Sequence, residues 1–332
     1  MSKGHIREYD IPTLTDDPIK TKDEKYPQSP NKDLPRLHSL IIANGVRGSG
    51  KTASTGRLIK SYEDTGLFDA KGLKVPMETY LISPTAEENK VWKELKSLDY
   101  AKNVQHKYNE NDFKLMTEEW KKENEDTRRY KEVSILWKKF KKAEFPELSM
   151  TRADLIKLSA ATNGFNDDPR KPKHPNGVAR FLVLDDLLGT RAFRAGNNPV
   201  VEFCIRNRHQ NTTVIIATQS LKGIPKPVRL NASVFNLFRT ANAEALIRDC
   251  HTEVSRVLNK DNFLKYFDHA TSTPYGSLML DMTAAPGRKI RRGWSTVLQL
   301  DSKEEIDGNN LHTHTNGEVA RGSKSQRPKR NG

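Results

Sequence analysis

Eight residues, Gly45-Val46-Arg47-Gly48-Ser49-Gly50-Lys51-Thr52, fit the pattern G-x-x-x-x-G-K-[ST]. Each residue type has a chemical use there. Glycines let consecutive backbone N–H groups turn toward one anion. A lysine at this position can reach the β- and γ-phosphates of a nucleotide, and the threonine hydroxyl can ligate Mg²⁺. A second group closes the apolar run Phe181-Leu182-Val183-Leu184-Asp185-Asp186. Of its two carboxylates, Asp185 suits Mg²⁺, usually held through water, and Asp186 can accept a proton from an attacking water. A third is Gln219, the polar end of the strand-like stretch 211–219, whose neutral amide can contact a γ-phosphate or orient water. Together these residues describe binding and hydrolysis of a nucleoside triphosphate.

The elements that must position them follow from the flanking patterns. The apolar run 37–44 has strand length, and Leu58, Ile59 and Tyr62 have helical spacing, so the glycine-rich loop joins a strand to a helix. The stretch 79–83 reads as a second strand ended by Pro84. The run 181–186, apolar up to its two carboxylates, and the stretch 211–219 read as parallel strands buried on both faces. Ligands sit at the carboxyl ends of such strands, so Asp185, Asp186 and Gln219 should meet the loop. Further strands are expected at 233–239, ending in Arg239, and at 276–282 and 294–300; helices are expected at 199–209 and 242–268. Cys204, among apolar neighbours, reads as a buried thiol rather than a nucleophile.

Between these strands lies an insertion at 86–160. Phe113, Met116 and Trp120 fall on one helical face, as do Tyr130, Val133, Trp137 and Phe140. Residues 121–129 between them carry no apolar side chain. The pattern suits two amphipathic helices or one long helix with a solvated middle, either covering the sheet or reaching a partner. A Pro/Gly/Asn-rich surface loop follows at 163–177. Residues 1–36, with scattered prolines, read as a flexible arm, and 301–332 as a disordered basic tail. The domain proper is then 37–300. His312 and His314 in the tail lack the further ligands a metal site needs.

Composition limits the partners. Of 332 residues, 35% are hydrophobic and 30% charged, enough for a core with a heavily solvated exterior. The formal net charge of +14 favours a polyanion, nucleic acid before an anionic membrane. Two cysteines, Cys204 and Cys250, exclude a disulfide framework and a cysteine zinc site. No apolar run reaches membrane-spanning length, and residues 1–10 lack the apolar core of a secretory signal. A soluble, intracellular protein is expected. Asp186-Leu187-Leu188-Gly189 also fits the D-x-x-G of GTPases, but the base-reading N-K-x-D is missing: Asn259-Lys260-Asp261-Asn262 lacks the final Asp.

The order of the glycine-rich loop, Leu184-Asp185-Asp186, Arg208-His209, Ile215-Ile216-Ala217-Thr218-Gln219 and Pro227-Val228-Arg229-Leu230-Asn231 resembles the genome-packaging ATPases of large double-stranded DNA viruses. The poxvirus type is the familiar example, and the group belongs to the FtsK–HerA superfamily of P-loop translocases. The resemblance spans about 37–240. It implies a RecA-like α/β fold of the additional-strand type, a three-layer sandwich around a mostly parallel sheet. It implies ATP and Mg²⁺ as cofactors, a homo-oligomeric ring, double-stranded DNA as substrate, and capsid or portal-vertex proteins as further partners. The location it implies is the virion or the host-cell cytoplasm or nucleus. Carried over by position, Lys51 serves phosphate, Thr52 and Asp185 hold Mg²⁺, Asp186 is the base and Gln219 the γ-phosphate sensor. The family often has Glu where Asp186 stands. Its arginine finger comes from a neighbouring subunit: Arg239 is the first choice, Arg229 the second, and Arg206 and Arg208 remain. The same superfamily includes cellular and plasmid DNA translocases and helicases. A P-loop kinase or GTPase switch is the alternative from another class. Lys222, Lys226 and Arg229, in the loop after Gln219, are placed to meet DNA phosphates in a central pore.

Overall fold

The computed structural model of the protein describes residues 6–10, 31, 33–69, 71–194, 198–240, 242–255 and 257–300. The chain begins with strand β1 (Ile6–Asp10), followed by β2 (Leu40–Asn44), helix α1 (Lys51–Thr65) and β3 (Met77–Ile82). Then come α2 (Lys90–Lys93), α3 (Tyr100–Asn103), β4 (Val104–Gln105), the long α4 (Glu110–Lys142), α5 (Pro146–Ser149) and α6 (Arg152–Ala161). The remainder is β5 (Ala179–Asp185), α7 (Pro199–Arg206), β6 (Thr212–Thr218), α8 (Lys226–Asn231), β7 (Val234–Phe238), α9 (Ala243–Val254), α10 (Lys260–Ala270), β8 (Ser277–Asp281), β9 (Ile290–Arg292) and β10 (Thr296–Leu300).

All ten strands form one sheet in the order β1-β10-β9-β8-β7-β2-β6-β5-β3-β4. From β7 to β4 every neighbour is parallel. From β7 through β8, β9 and β10 to β1 every neighbour is antiparallel. The loop-bearing strand β2 lies between β6 and β7, in register Ile42↔Ile216 and Ile42↔Phe235. This is the α/β P-loop architecture expected from the sequence, with a mostly parallel centre and an antiparallel extension.

The unbroken apolar runs are explained by burial on both faces. Side chains alternate across a strand, so Ile42, Leu182, Leu184, Val214 and Ile216 enter one layer, with Phe203, Leu246 and Phe263 from the helices. Ile41, Phe181, Val183 and Ile215 enter the other, with Leu58, Ile59 and Tyr62 of α1. Each such side chain, fully buried, contributes about 1.5–3 kcal/mol.

Most of the insertion is one 33-residue helix, α4, preceded by α2, α3 and the short strand β4 and followed by a short return through α5 and α6. Its buried residues are Phe113, Trp120, Thr127 and Val133, a narrow seam of nearly seven-residue spacing. The middle is not simply solvated, as its polar composition suggested. Asn124 Nδ2 donates to the Gln210 carbonyl at 3.2 Å and Thr127 Oγ1 to the His174 carbonyl at 2.9 Å. Glu123 pairs with Arg180, whose side chain is fully buried. Polar residues face the sheet here because β5 offers them a guanidinium. Glu78 and His174 complete this cluster, with Glu78 Oε1 3.0 Å from His174 Nε2. Their ligand atoms and those of Glu123 lie within 4.8 Å of one another. Arg180 and Lys173 already neutralise both carboxylates, so the cluster is an ionic clamp.

Within the expected N-terminal arm, Ile6–Asp10 is an edge strand paired with β10, Ile6↔Leu300. The other arm residues, save 31 and 33–36, and the expected tail 301–332 lie outside the described residues. Strands β4 and β9, of two and three residues, are too short to leave a periodic signal. Among the described residues no helix is long and apolar enough to cross a membrane.

Candidate nucleotide site

Residues 45–50 leave the carboxyl end of β2 and enter α1 without a side-chain cap at its N-terminus. Gly48 and Gly50 have φ of 74° and 98°, left-handed values that side chains disfavour and that turn successive amides inward. The first-turn N–H groups of α1 therefore face an anion position with the helix dipole behind them. Val46, Arg47 and Gly48 are exposed at the tip of the loop. Lys51 is buried and curls back, its Nζ 2.8 Å from the Gly45 carbonyl and 3.0 Å from that of Val46. Burial lowers its pKa, against the opposing pull of Asp186 and Asp185. The Ser49 hydroxyl is buried without a hydrogen-bond partner.

Asp185 ends β5, beside β6 and one strand removed from β2. It is 1% exposed, and its Oδ1 has no hydrogen-bond partner among the described residues. Burial pushes its pKa up to about 6, with a further rise from Asp186; Lys51 and the Ser83 and Thr52 hydroxyls pull it down. A buried carboxylate oxygen without a donor, next to a threonine hydroxyl, is a hard oxygen pair that fits Mg²⁺. Asp186 sits at φ 52°, held there by its own N–H donating to the Ala217 carbonyl at 3.1 Å. That turn lifts its carboxylate to the sheet edge, where Gln219 Nε2 lies 3.4 Å from its Oδ1, a long and weak contact. A cavity of about 430 Å³ opens between Lys51, Thr52, Asp186 and Gln219.

The structure therefore brings Lys51, Thr52, Asp185, Asp186 and Gln219 to one edge. The arginines diverge. Arg239 follows β7 directly; its carbonyl accepts from the Val46 N–H at 3.3 Å and its side chain is exposed. Arg229 is held within its own chain: Nε pairs with Glu253 at 3.0 Å, and Nη1 donates to the Leu221 and Ile224 carbonyls, both at 3.3 Å. Glu253 is only 3% exposed, so this guanidinium neutralises an interior carboxylate and is not free to reach a neighbour, contrary to its expected use as a finger. Arg206 and Arg208 precede β6, at the opposite edge of the sheet, roughly 20 Å from Gln219 by the strand rise. Lys222 is 66% exposed beside Asp249, and Lys226 is exposed at the start of α8, both just beyond Gln219. Cys204 is buried and its thiol pushed up to about 12 by desolvation, an inert core residue as expected.

Thr85, Glu88 and Asn89 also line the cavity, from the segment after β3. Sequence reading passed over them, although β3 is itself parallel and its carboxyl end obeys the same rule as β5 and β6. Tyr275 escaped notice as well: it lies between α10 and β8, far from any motif, yet its ring rests against Gly50.

No protein-family model matches the sequence, and no curated protein matches it. Among solved structures, the chain is similar to the genome packaging NTPase B204 of Sulfolobus turreted icosahedral virus 2 in complex with AMP, at 11% identity and TM-score 0.41, covering 76% of this chain and 96% of that one. It is similar to EssC (ATPases 2 and 3) of Geobacillus thermodenitrificans at 12% identity and TM-score 0.37, covering 82% and 42%. The N-terminal domain of zonular occludens toxin from Neisseria meningitidis gives 10% identity and TM-score 0.31, covering 80% and 96%. Likenesses this low assign no activity; the P-loop fold rests on this chain's own strand order and the geometry of residues 45–52.

Proposed function

We propose that the protein is an ATP-hydrolysing motor that translocates double-stranded DNA, packaging a viral genome into a preformed capsid. The observation that carries the hydrolytic part is the meeting of Lys51, Thr52, Asp185, Asp186 and Gln219 at the carboxyl edge of three neighbouring parallel strands. Lys51 exchanges its two loop carbonyls for phosphate oxygens. Thr52 and Asp185 would hold Mg²⁺, which supplies charge neutralisation on the phosphates. Asp186 accepts a proton from a water as the water oxygen bonds to the γ-phosphorus and the bond to the β–γ bridging oxygen breaks. Gln219, already touching Asp186, orients that water. Arg239, exposed beside the loop, is the first candidate, ahead of Arg206 and Arg208, for a charge donated to a neighbouring subunit of a ring.

The DNA part rests on the excess of 14 positive charges and on exposed Lys222 and Lys226 directly after Gln219. A phosphate-gripping motor needs charge rather than base readout. The test is ATP hydrolysis with and without duplex DNA, on the wild type and Asp186→Asn. Duplex DNA should stimulate the wild type, and the variant should fall by about 10²–10⁴-fold, the usual contribution of a general base. Hydrolysis indifferent to duplex DNA would rule out the motor and leave a nucleotide-dependent switch or kinase.

A further inference from the structure

We infer that Tyr275 is the platform on which the nucleobase stacks, making the turn before β8 the base-binding side of the nucleotide site. The inference rests on the nucleotide reading of the P-loop given above. Because β8 runs antiparallel to β7, with Phe238 opposite Ser277, Tyr275, two residues before β8, reaches the same edge as Arg239 and the glycine-rich loop. The Tyr275 ring lies directly against Gly50: a Cβ placed on that glycine would sit 3.2 Å from Tyr275 Cδ1 and 3.3 Å from its Cβ. The residue is nevertheless 74% exposed. One edge of the ring packs on the loop and most of its surface faces outward.

The backbone holds it there at a cost. Tyr275 has φ 63°, a left-handed value disfavoured for a bulky residue. The turn is kept tight by Gly276, whose N–H donates to the Thr273 carbonyl at 3.0 Å and where a Cβ would come within 2.4 Å of the Ala270 carbonyl oxygen. The extension is also fastened to the loop's own helix. Trp294 Nε1 donates to the Ser54 carbonyl at 3.0 Å and to its hydroxyl at 2.9 Å, and Asn236 Nδ2 reaches the same hydroxyl at 3.2 Å. A large aromatic group is thus exposed, pre-positioned and rigidly supported beside the phosphate loop.

Direction completes the argument. Asp186 and Gln219 flank the loop on the β5 and β6 side. A triphosphate seated with its terminal phosphate toward them must extend its sugar and base toward β7 and β8, where Tyr275 stands. Stacking uses the π-face common to all bases, so Tyr275 adds affinity without choosing adenine over guanine.

The test compares binding of ATP, GTP and inorganic tripolyphosphate, all with magnesium, to the full chain and to Tyr275→Asn and Tyr275→Phe. Asn tolerates the left-handed backbone, so the turn survives without the ring; unliganded melting temperatures check this. Tyr275→Asn should bind ATP and GTP about tenfold more weakly, within the range for loss of one base–aromatic stack. Its affinity for tripolyphosphate should be unchanged, and Tyr275→Phe should match the wild type. Equal losses for ATP and tripolyphosphate would overturn the proposal, because the ring would then merely prop the loop. So would an unchanged ATP affinity, or a wild type that binds tripolyphosphate as tightly as ATP. A wild type that binds none of the three overturns the P-loop reading together with this one.

Discussion

Arg229 and Arg239 stand ten positions apart and carry the same charge, yet their surroundings give them opposite uses. The Arg229 guanidinium offsets Glu253, a carboxylate almost wholly buried, and caps two carbonyls of the segment leading from Gln219. Removing one partner of a buried pair leaves an uncompensated charge, so Arg229→Ala should destabilise the chain by about 3–5 kcal/mol. The Arg239 carbonyl accepts from the Val46 N–H and its side chain is exposed, so Arg239→Ala should leave stability nearly unchanged. Chemical denaturation of both variants checks the contrast. If Arg239 acts on a neighbour's nucleotide, its variant should still bind ATP and lose hydrolysis, and activity should return in mixtures with Lys51→Ala subunits, which keep their own arginine. Lack of recovery in such mixtures would remove the finger assignment.

At the scale of elements, the clamp between α4 and the sheet is the chief polar anchor of the insertion. Arg180 on β5 meets Glu78 of β3 and Glu123 of α4, and His174 and Lys173 close the group. Burial alone would raise the pKa of Glu78, but the His174 hydrogen bond and the charges of Arg180, His174 and Lys173 outweigh it and bring it down to about 2. A carboxylate whose folded pKa is depressed stabilises the fold above its ordinary pKa and loses that contribution as pH falls. Here the contribution is complete above pH 4.5 and disappears toward pH 2. Discounted for partial exposure, it amounts to about 2 kcal/mol. Glu78→Gln should lower stability at pH 7 by about that amount and flatten the acid limb of a stability–pH curve. An unchanged acid limb would show that the clamp does not couple to folding. The narrow apolar seam of α4 explains why the clamp matters: four buried residues over 33 are few for so long a helix.

For the whole molecule, the net charge of +14 has to be reconciled with a nucleotide site that is itself rich in carboxylates. The structure separates the two: Asp185 is inside, while Lys222 and Lys226 project from the segment beyond Gln219. Each phosphate contact contributes about 0.9 to the slope of log affinity against log salt. Replacing both lysines with alanine should weaken duplex binding at low salt and reduce that slope by roughly 1–2. Lys222 lies 3.6 Å from Asp249, so its share should be the smaller. Titrations of duplex DNA at several salt concentrations measure this, and an unaltered slope would place the DNA surface elsewhere.

The sequence by itself determined the phosphate loop and the strands of five or more residues between 37 and 300, because both are local. A strand buried on two faces has no solvent face to alternate with, so its middle positions run apolar, and a loop that wraps phosphate must have glycine where φ is positive. The carboxyl-end rule then placed Asp185, Asp186 and Gln219 at one edge without any contact being known. What composition could not show was pairing across distance. The polar middle of α4 looked solvated because nothing local reveals that Arg180, 57 positions from Glu123, is buried opposite it. Sequence position ranked Arg239 ahead of Arg229 as a finger, but only the fold showed that Arg229 is paired with the interior Glu253. Tyr275 carried no motif, being 225 residues from Gly50, and only the antiparallel return of β8 beside β7 set it against the loop. Local chemistry is written in consecutive residues, whereas the partner of a charge or the neighbour of a ring is chosen by the packing of the whole chain.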